Sequence, residues 1–201
     1  MTSQNLLATA DTATETWAWR LLLLFVFALP LSIAASSIIL TVLVALWGRL
    51  VINQPYASFA PRFFLPLVIY AAWTLLSVAF SIQPLTSFIE SKEVLLFLVV
   101  PVVFRLAQGQ RASTIATVVL TVGAVTAVIG VVQYAILEWD NLGQRPSGSM
   151  GHYMTYSGLL VLVIGLATAR VLFDTRERTW SALVLPALIA ALAVTLTRSN
   201  W

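Results

Sequence analysis

Three basic side chains and one histidine stand apart in this chain because of where they fall. Arg145 opens the stretch RPSGSMGHYMTYSG (residues 145–158), which carries the only histidine, His152, and is wedged between two long apolar runs. Lys92 lies in QPLTSFIESKE (83–93) and Arg198 in LTRSNW (196–201). An arginine guanidinium is a planar fork that binds phosphate oxygens bidentately, and such pairs strengthen where water is partly excluded. Gly148 and Gly151 would let backbone N–H groups approach an anion closely. The chemistry expected of these residues is recognition of phosphate. Arg145 and Arg198 are the leading contacts, Lys92 a weaker one, and His152 shapes the loop. Each also has a plainer reading. An arginine at the end of an apolar run serves equally as an anchor that snorkels to lipid headgroups. A lone loop histidine is more often a structural hydrogen-bonding group than a base.

Other chemistries lack their residues. There is no cysteine, and so no disulfide framework, thiol nucleophile or cysteine-based zinc site. No Walker loop, HExxH, nucleotide-binding glycine fingerprint or D-x-D pair occurs. Glu90 and Glu93, three apart with Lys92 between them, read as the polar end of a helix rather than as metal ligands. Neither a cofactor nor a metal is expected.

The elements that must hold these residues are membrane spans. Hydrophobic residues make up 60% of the chain and charged ones 9%, with a mean hydropathy of +0.93. An ordinary soluble domain has roughly 25% charged residues, so this composition leaves too little to clothe a water-facing surface. The net charge of +3 is small, and the arginines lie singly at the ends of apolar runs, which is the pattern of membrane orientation rather than of a nucleic-acid groove. No nucleic-acid partner is expected.

Residues 1–20 read as a cytoplasmic tail and 21–201 as a transmembrane helical domain. The apolar run 21–47 would be about 40 Å long as one helix, against a hydrocarbon core of ~30 Å. With Pro30, Ser32, Ser36 and Ser37 inside it, two spans turning near 32–37 are expected. Further spans are expected at 63–80, 112–137, 157–173 and 180–197. The run 94–106 is too short alone and must borrow from upstream. There Leu85, Phe88 and Ile89 share a helical face, Pro84 suits a first turn and Ser87-x-x-Glu90 has capping-box spacing. Either an interfacial helix runs into that span, or 83–93 is a solvated loop. Gly123 with Ala127, and Thr126 with Gly130, have the four-residue spacing that lets helices pack closely. The fold class expected is all-α: a polytopic transmembrane helical bundle of about seven spans.

With that arrangement, one side collects Arg20, Arg49, Arg62, Arg105, Arg111, Arg170, Arg176 and Arg178, and the other holds Lys92, Arg145 and Arg198. The richer side belongs in the cytoplasm. Lys92, Arg145 and Arg198 then face outward against the topological bias, which marks them as candidates for a role of their own.

GVVQYAI (130–136) followed by RPSGSMGHYMTYSGLL (145–160) resembles the O-antigen ligases and O-antigen polymerases, where a span ending in Q is followed by R-x-x-G, then G-H, then a helix start of small residues. SIQPLTSFIESKEVLLFLVVP (81–101) is similar to the family's preceding outer segment with its lysine, and LTRSNW to the start of its shared domain. The resemblance implies a multi-pass enzyme of the bacterial inner membrane that transfers a saccharide from an undecaprenyl-diphosphate-linked donor to a lipid or glycan acceptor at the outer face, without a metal. Family members continue into a large outer loop bearing catalytic arginine and histidine residues. This chain stops before it, so it is expected to be the N-terminal part of such an enzyme and inactive alone, with its catalytic residues unassigned. Two other classes stay open. A secondary transporter would place polar residues at the membrane midplane, and a structural subunit would use only the small-residue packing faces.

Overall fold

The computed structural model describes residues 3–53, 60–139, 144–174 and 178–195, without the side chains of residues 3–12, 33 and 92. Among the described residues the chain is all-helical, with no β-strand. Eight α-helices follow in order: α1 (Ser3–Ala28), α2 (Ile33–Asn53), α3 (Phe64–Ala79), α4 (Pro84–Glu90), α5 (Val99–Leu106), α6 (Gln110–Ala135), α7 (Tyr153–Phe173) and α8 (Arg178–Val194). A 3-10 helix, Ser91–Leu98, joins α4 to α5.

Three helical stretches are long and apolar enough to cross a membrane: Ala34–Asn53, Gln110–Ala135 and Tyr153–Phe173. They point to a membrane protein, but they support three crossings by length and not the seven read from the sequence. The shortfall has physical causes. α3 and α8 are apolar but only 16 and 17 residues long, about 24–26 Å at helical rise. α1 brings its apolar half to an end at Ala28, and residues 3–20 belong to the same unbroken helix.

Two helices meet within residues 21–52, with the turn a few residues earlier than expected; of the two spans read there, Ala34–Asn53 is the one long and apolar enough to cross among the described residues. Pro30 lacks an N–H and cannot continue α1. The chain closes through Leu31 and Ser32, whose N–H groups both donate to the Ala28 carbonyl at 3.0 Å. Ser32 then caps α2, its hydroxyl accepting the Ala35 N–H at 3.3 Å.

The chain divides into two compact units, residues 1–22 with 38–111 and residues 23–37 with 112–201. In the first, Arg111 pairs with Glu15 at 2.6 Å, and its guanidinium lies 5.4 Å from the ring centre of Trp19. Arg20 sits 5.2 Å over Trp17. These arginines, read from the sequence as topological charges alone, are held by an aromatic and acidic face of α1. The segment 94–106 does borrow from upstream, since helix is continuous from Pro84 to Leu106. Pro84 occupies its first turn as expected. Ser87 is not the cap: the N-cap is Gln83, and Ser87 lies inside α4 with its hydroxyl 2.7 Å from that of Ser81. The 3-10 stretch ends just before Pro101, which cannot donate the bond to the Phe97 carbonyl that an α-helix would require there.

The second unit is built on α6, α7 and α8. A Cβ on Gly123 would stand 2.6 Å from Val163 Cγ1, and one on Gly130 would land on the Tyr156 hydroxyl. Arg170 donates to Thr117 Oγ1 at 2.8 Å and to Ser113 Oγ at 2.9 Å. The partner's number rises as the α6 number falls, so α6 and α7 run antiparallel along one face. The small residues predicted to allow close approach are the ones that do: Gly123, Thr126, Ala127 and Gly130 are buried. Leu160, Val163 and Ala167 of α7 share one core with Leu120 and Ala127 of α6 and with Val184, Leu188 and Ala191 of α8. Arg170 is buried as well. It is paired with Asp174 at 3.5 Å, so its two α6 hydroxyls and this carboxylate satisfy a charge that would otherwise be costly to bury.

Candidate functional site

Between α6 and α7 the loop of residues 144–152 is held by one side chain. Gln133, in the last turn of α6, accepts the N–H groups of Ser147 and Gly148 on Oε1, both at 2.9 Å, and donates from Nε2 to the Gly148 carbonyl at 2.8 Å. The primary amide thus takes the place of a neighbouring strand of backbone. Gly148 has φ +58° and Gly151 φ +72°, both in the left-handed region where an L side chain is strained. Gly148 has a second reason to be glycine, because a Cβ there would stand 2.6 Å from Tyr156 Cε2. Tyr156 is fully buried, and its hydroxyl donates to the Thr126 carbonyl at 3.0 Å. Gly130 and Gly148 both make room for this ring, whereas a Cβ on Gly151 would meet nothing within 4 Å. For Gly148 the expectation is corrected: its N–H is already given to Gln133.

The structure brings Arg145 and His152 together through a residue the sequence did not single out. The Arg145 guanidinium lies 4.8 Å from the centre of the Tyr153 ring, and the His152 ring stacks on Tyr153 at 5.1 Å and 18°. Stacking on a π face fixes the guanidinium plane and leaves its edge for in-plane hydrogen bonds. Arg145 Nε is buried with no hydrogen-bond partner, as is Ser149 Oγ. Among the described residues no carboxylate pairs with Arg145. A buried donor without an acceptor costs free energy, so the loop carries unmet demand for an acceptor beside a fixed positive charge. His152 is exposed at the N-cap of α7, and its side chain makes no capping bond.

Lys92 is in the 3-10 helix of the first unit, with its side chain outside the described residues, and Arg198 lies outside them altogether. The structure therefore assembles Arg145 with His152 only. Sequence reasoning missed Gln133 as the loop's clamp and Tyr153 as its platform. The available signal was an amide isolated among apolar residues at the end of a span. Among the described residues no three histidine, aspartate or glutamate side chains converge as metal ligands would.

Comparison with protein-family models, with curated proteins and with solved structures finds no match for this chain.

Proposed function

We propose that this chain is the membrane part of a glycosyltransferase of the O-antigen ligase or polymerase type, and that the loop of residues 144–152 recognises the diphosphate of its lipid-linked donor. The observation that carries the reading is the guanidinium of Arg145, held over the Tyr153 ring with no carboxylate partner among the described residues. A phosphate would pair with its terminal N–H groups, and a dianionic leaving group gains most from a fixed cation in a partly dehydrated site. The motif similarity at 130–136 and 145–160 supports the same assignment. In this reading the chain contributes about seven spans to a multi-pass protein of the bacterial inner membrane. Lys92, Arg145 and Arg198 face outward, and the donor is an undecaprenyl-diphosphate-linked glycan. The acceptor is a lipid or a glycan. Leaving-group stabilisation rests on arginine, while His152 shapes the loop beside it.

The test is direct binding. Purified chain in detergent is titrated with a polyprenyl diphosphate and with the matching polyprenol, read by native mass spectrometry. The expected result is saturable binding of the diphosphate that the alcohol does not compete away. Equal binding of both would reduce the site to an apolar surface and sink the diphosphate assignment.

A further inference from the structure

Two arginines of the first unit rest on tryptophans of α1, and only one of them is closed by an acid. Arg111 has its guanidinium 5.4 Å from the Trp19 ring centre and donates from Nη1 to Glu15 Oε1 at 2.6 Å. The ring sets its plane and the carboxylate occupies its edge. Arg20 repeats the first half of this arrangement, 5.2 Å from the Trp17 ring centre, and lacks the second. Among the described side chains no carboxylate pairs with it. Glu15 is taken by Arg111. Asp11, whose side chain is outside the described residues, precedes Arg20 by nine residues of continuous helix. At 1.5 Å and 100° per residue this places it about 13.5 Å away along the axis and on the opposite face of α1, out of reach of the Arg20 guanidinium.

The surface around Arg20 decides what anion would close it. Trp17 is 59% exposed and Arg20 is exposed as well. The same stripe continues at helical spacing through Leu24 and Phe27, both exposed. In the other direction it continues through Thr16 and Ala13. One face of α1 therefore passes from small and polar residues, through a tryptophan and an arginine, to bare hydrocarbon. Tryptophan gathers at the boundary between lipid tails and headgroups, so the open edge of the guanidinium lies at the depth of lipid phosphates. The planar fork matches two oxygens of one phosphate.

All phospholipids offer a phosphate, but phosphatidylethanolamine and phosphatidylcholine carry a cation of their own beside it. An anionic glycerophospholipid does not, and its charge is left for the arginine. We propose that Trp17 and Arg20 form a binding site for the headgroup of an anionic glycerophospholipid, with its acyl chains along Leu24 and Phe27. The site uses no residue of the loop 144–152 and stands whether or not that loop binds a diphosphate.

The test uses the full chain released from vesicles containing equal amounts of phosphatidylglycerol, phosphatidylethanolamine and phosphatidylcholine, with retained lipids counted by native mass spectrometry. The expected result is retention of phosphatidylglycerol about fivefold over either competitor, the ratio that one arginine at an anionic surface supplies. In Arg20→Gln this preference falls to near equality, and Trp17→Leu weakens it, both with unchanged helical circular dichroism. Arg49→Gln removes the same charge from an exposed arginine of α2 that stacks on no ring among the described residues, and it keeps the wild-type ratio. Equal retention of the three lipids by the wild type overturns the proposal. So does an equal loss in Arg20→Gln and Arg49→Gln, which would mean diffuse charge instead of a site. Displacement of the lipid by soluble glycerol phosphate at equal concentration overturns its lipid part.

Discussion

Gln133 and Gly148 exchange a reciprocal pair of hydrogen bonds, the side-chain Nε2 donating to the Gly148 carbonyl at 2.8 Å and Oε1 accepting the Gly148 N–H at 2.9 Å. The same Oε1 takes the Ser147 N–H, so three bonds tie the loop of residues 144–152 to the end of α6. Everything the loop presents, Arg145 included, inherits its position from this amide.

Gln133→Leu removes all three bonds and leaves two N–H groups of buried residues without an acceptor. An orphaned buried group costs about 1–3 kcal/mol, and at this chain length each kcal/mol lowers Tm by about 2–4 °C. Thermal unfolding in detergent should show the loss, with Tyr134→Leu, next door on the exposed face of α6, near wild type. Faster hydrogen exchange at Ser147 and Gly148 in the leucine variant would place the damage in the loop. Unchanged exchange there would mean that the loop is held by something else.

Gly130 and Tyr156 should show coupled energetics. A Cβ at position 130 falls on the tyrosine hydroxyl, with Tyr156 Cζ at 2.7 Å, so Gly130→Ala forces the ring to move, at a cost of about 1–3 kcal/mol. Tyr156→Phe gives up one hydrogen bond to the Thr126 carbonyl, about 1 kcal/mol. Because the deleted oxygen is the atom the new methyl meets first, the double variant should lose less stability than the two single losses added together. Strict additivity would show that the pair does not touch.

What the sequence made legible follows from how each property is encoded. Periodic features survive in one dimension: the apolar runs mark the helices, Pro30 marks the first turn, and the four-residue spacing of Gly123 with Ala127 marks the packed face of α6. Span counting was less secure, because a hydrophobic run does not record where a helix ends. The last turns of α3 and α8, and the change of helical type before Pro101, shorten what composition alone would join. Arg145 and His152 were legible as types, but their joining through Tyr153 was not, since stacking depends on the path of the loop. Arg170 was counted as one cytoplasmic charge among eight. Its burial against Ser113 and Thr117 depends on α7 lying antiparallel to α6, which no local pattern states.

The orientation of α6 can be checked in a chain with no native cysteine. Ala112 lies in the first turn of α6 and Leu137 two residues past its end, both exposed; the helix between is 26 residues long, about 39 Å at helical rise, which exceeds the ~30 Å hydrocarbon core. The charge split assigns the Arg105–Arg111 end to the cytoplasm. In intact cells an impermeant thiol reagent should label Leu137→Cys, and should label Ala112→Cys only after permeabilisation. The opposite pattern would invert the topology, and labelling of both from outside would deny that α6 crosses.

Arg145 and Tyr153 give the most discriminating pair of variants. If Arg145 is only a headgroup anchor, lysine replaces it without consequence, because an ammonium snorkels as well as a guanidinium. If it is a phosphate fork, Arg145→Lys keeps the charge but loses the planar pair of donors and the stacking on Tyr153. The expected loss is about 1.5–3 kcal/mol for one charge-assisted arrangement, roughly a tenfold or greater rise in Kd for polyprenyl diphosphate. Tyr153→Phe keeps the π face and should bind as wild type. Tyr153→Leu removes the face that orients the guanidinium and should weaken binding by about 0.5–2 kcal/mol, while the chain inserts and folds normally. A wild-type Kd in both Arg145→Lys and Tyr153→Leu would leave this arginine a membrane anchor and the loop a connector between two packed helices.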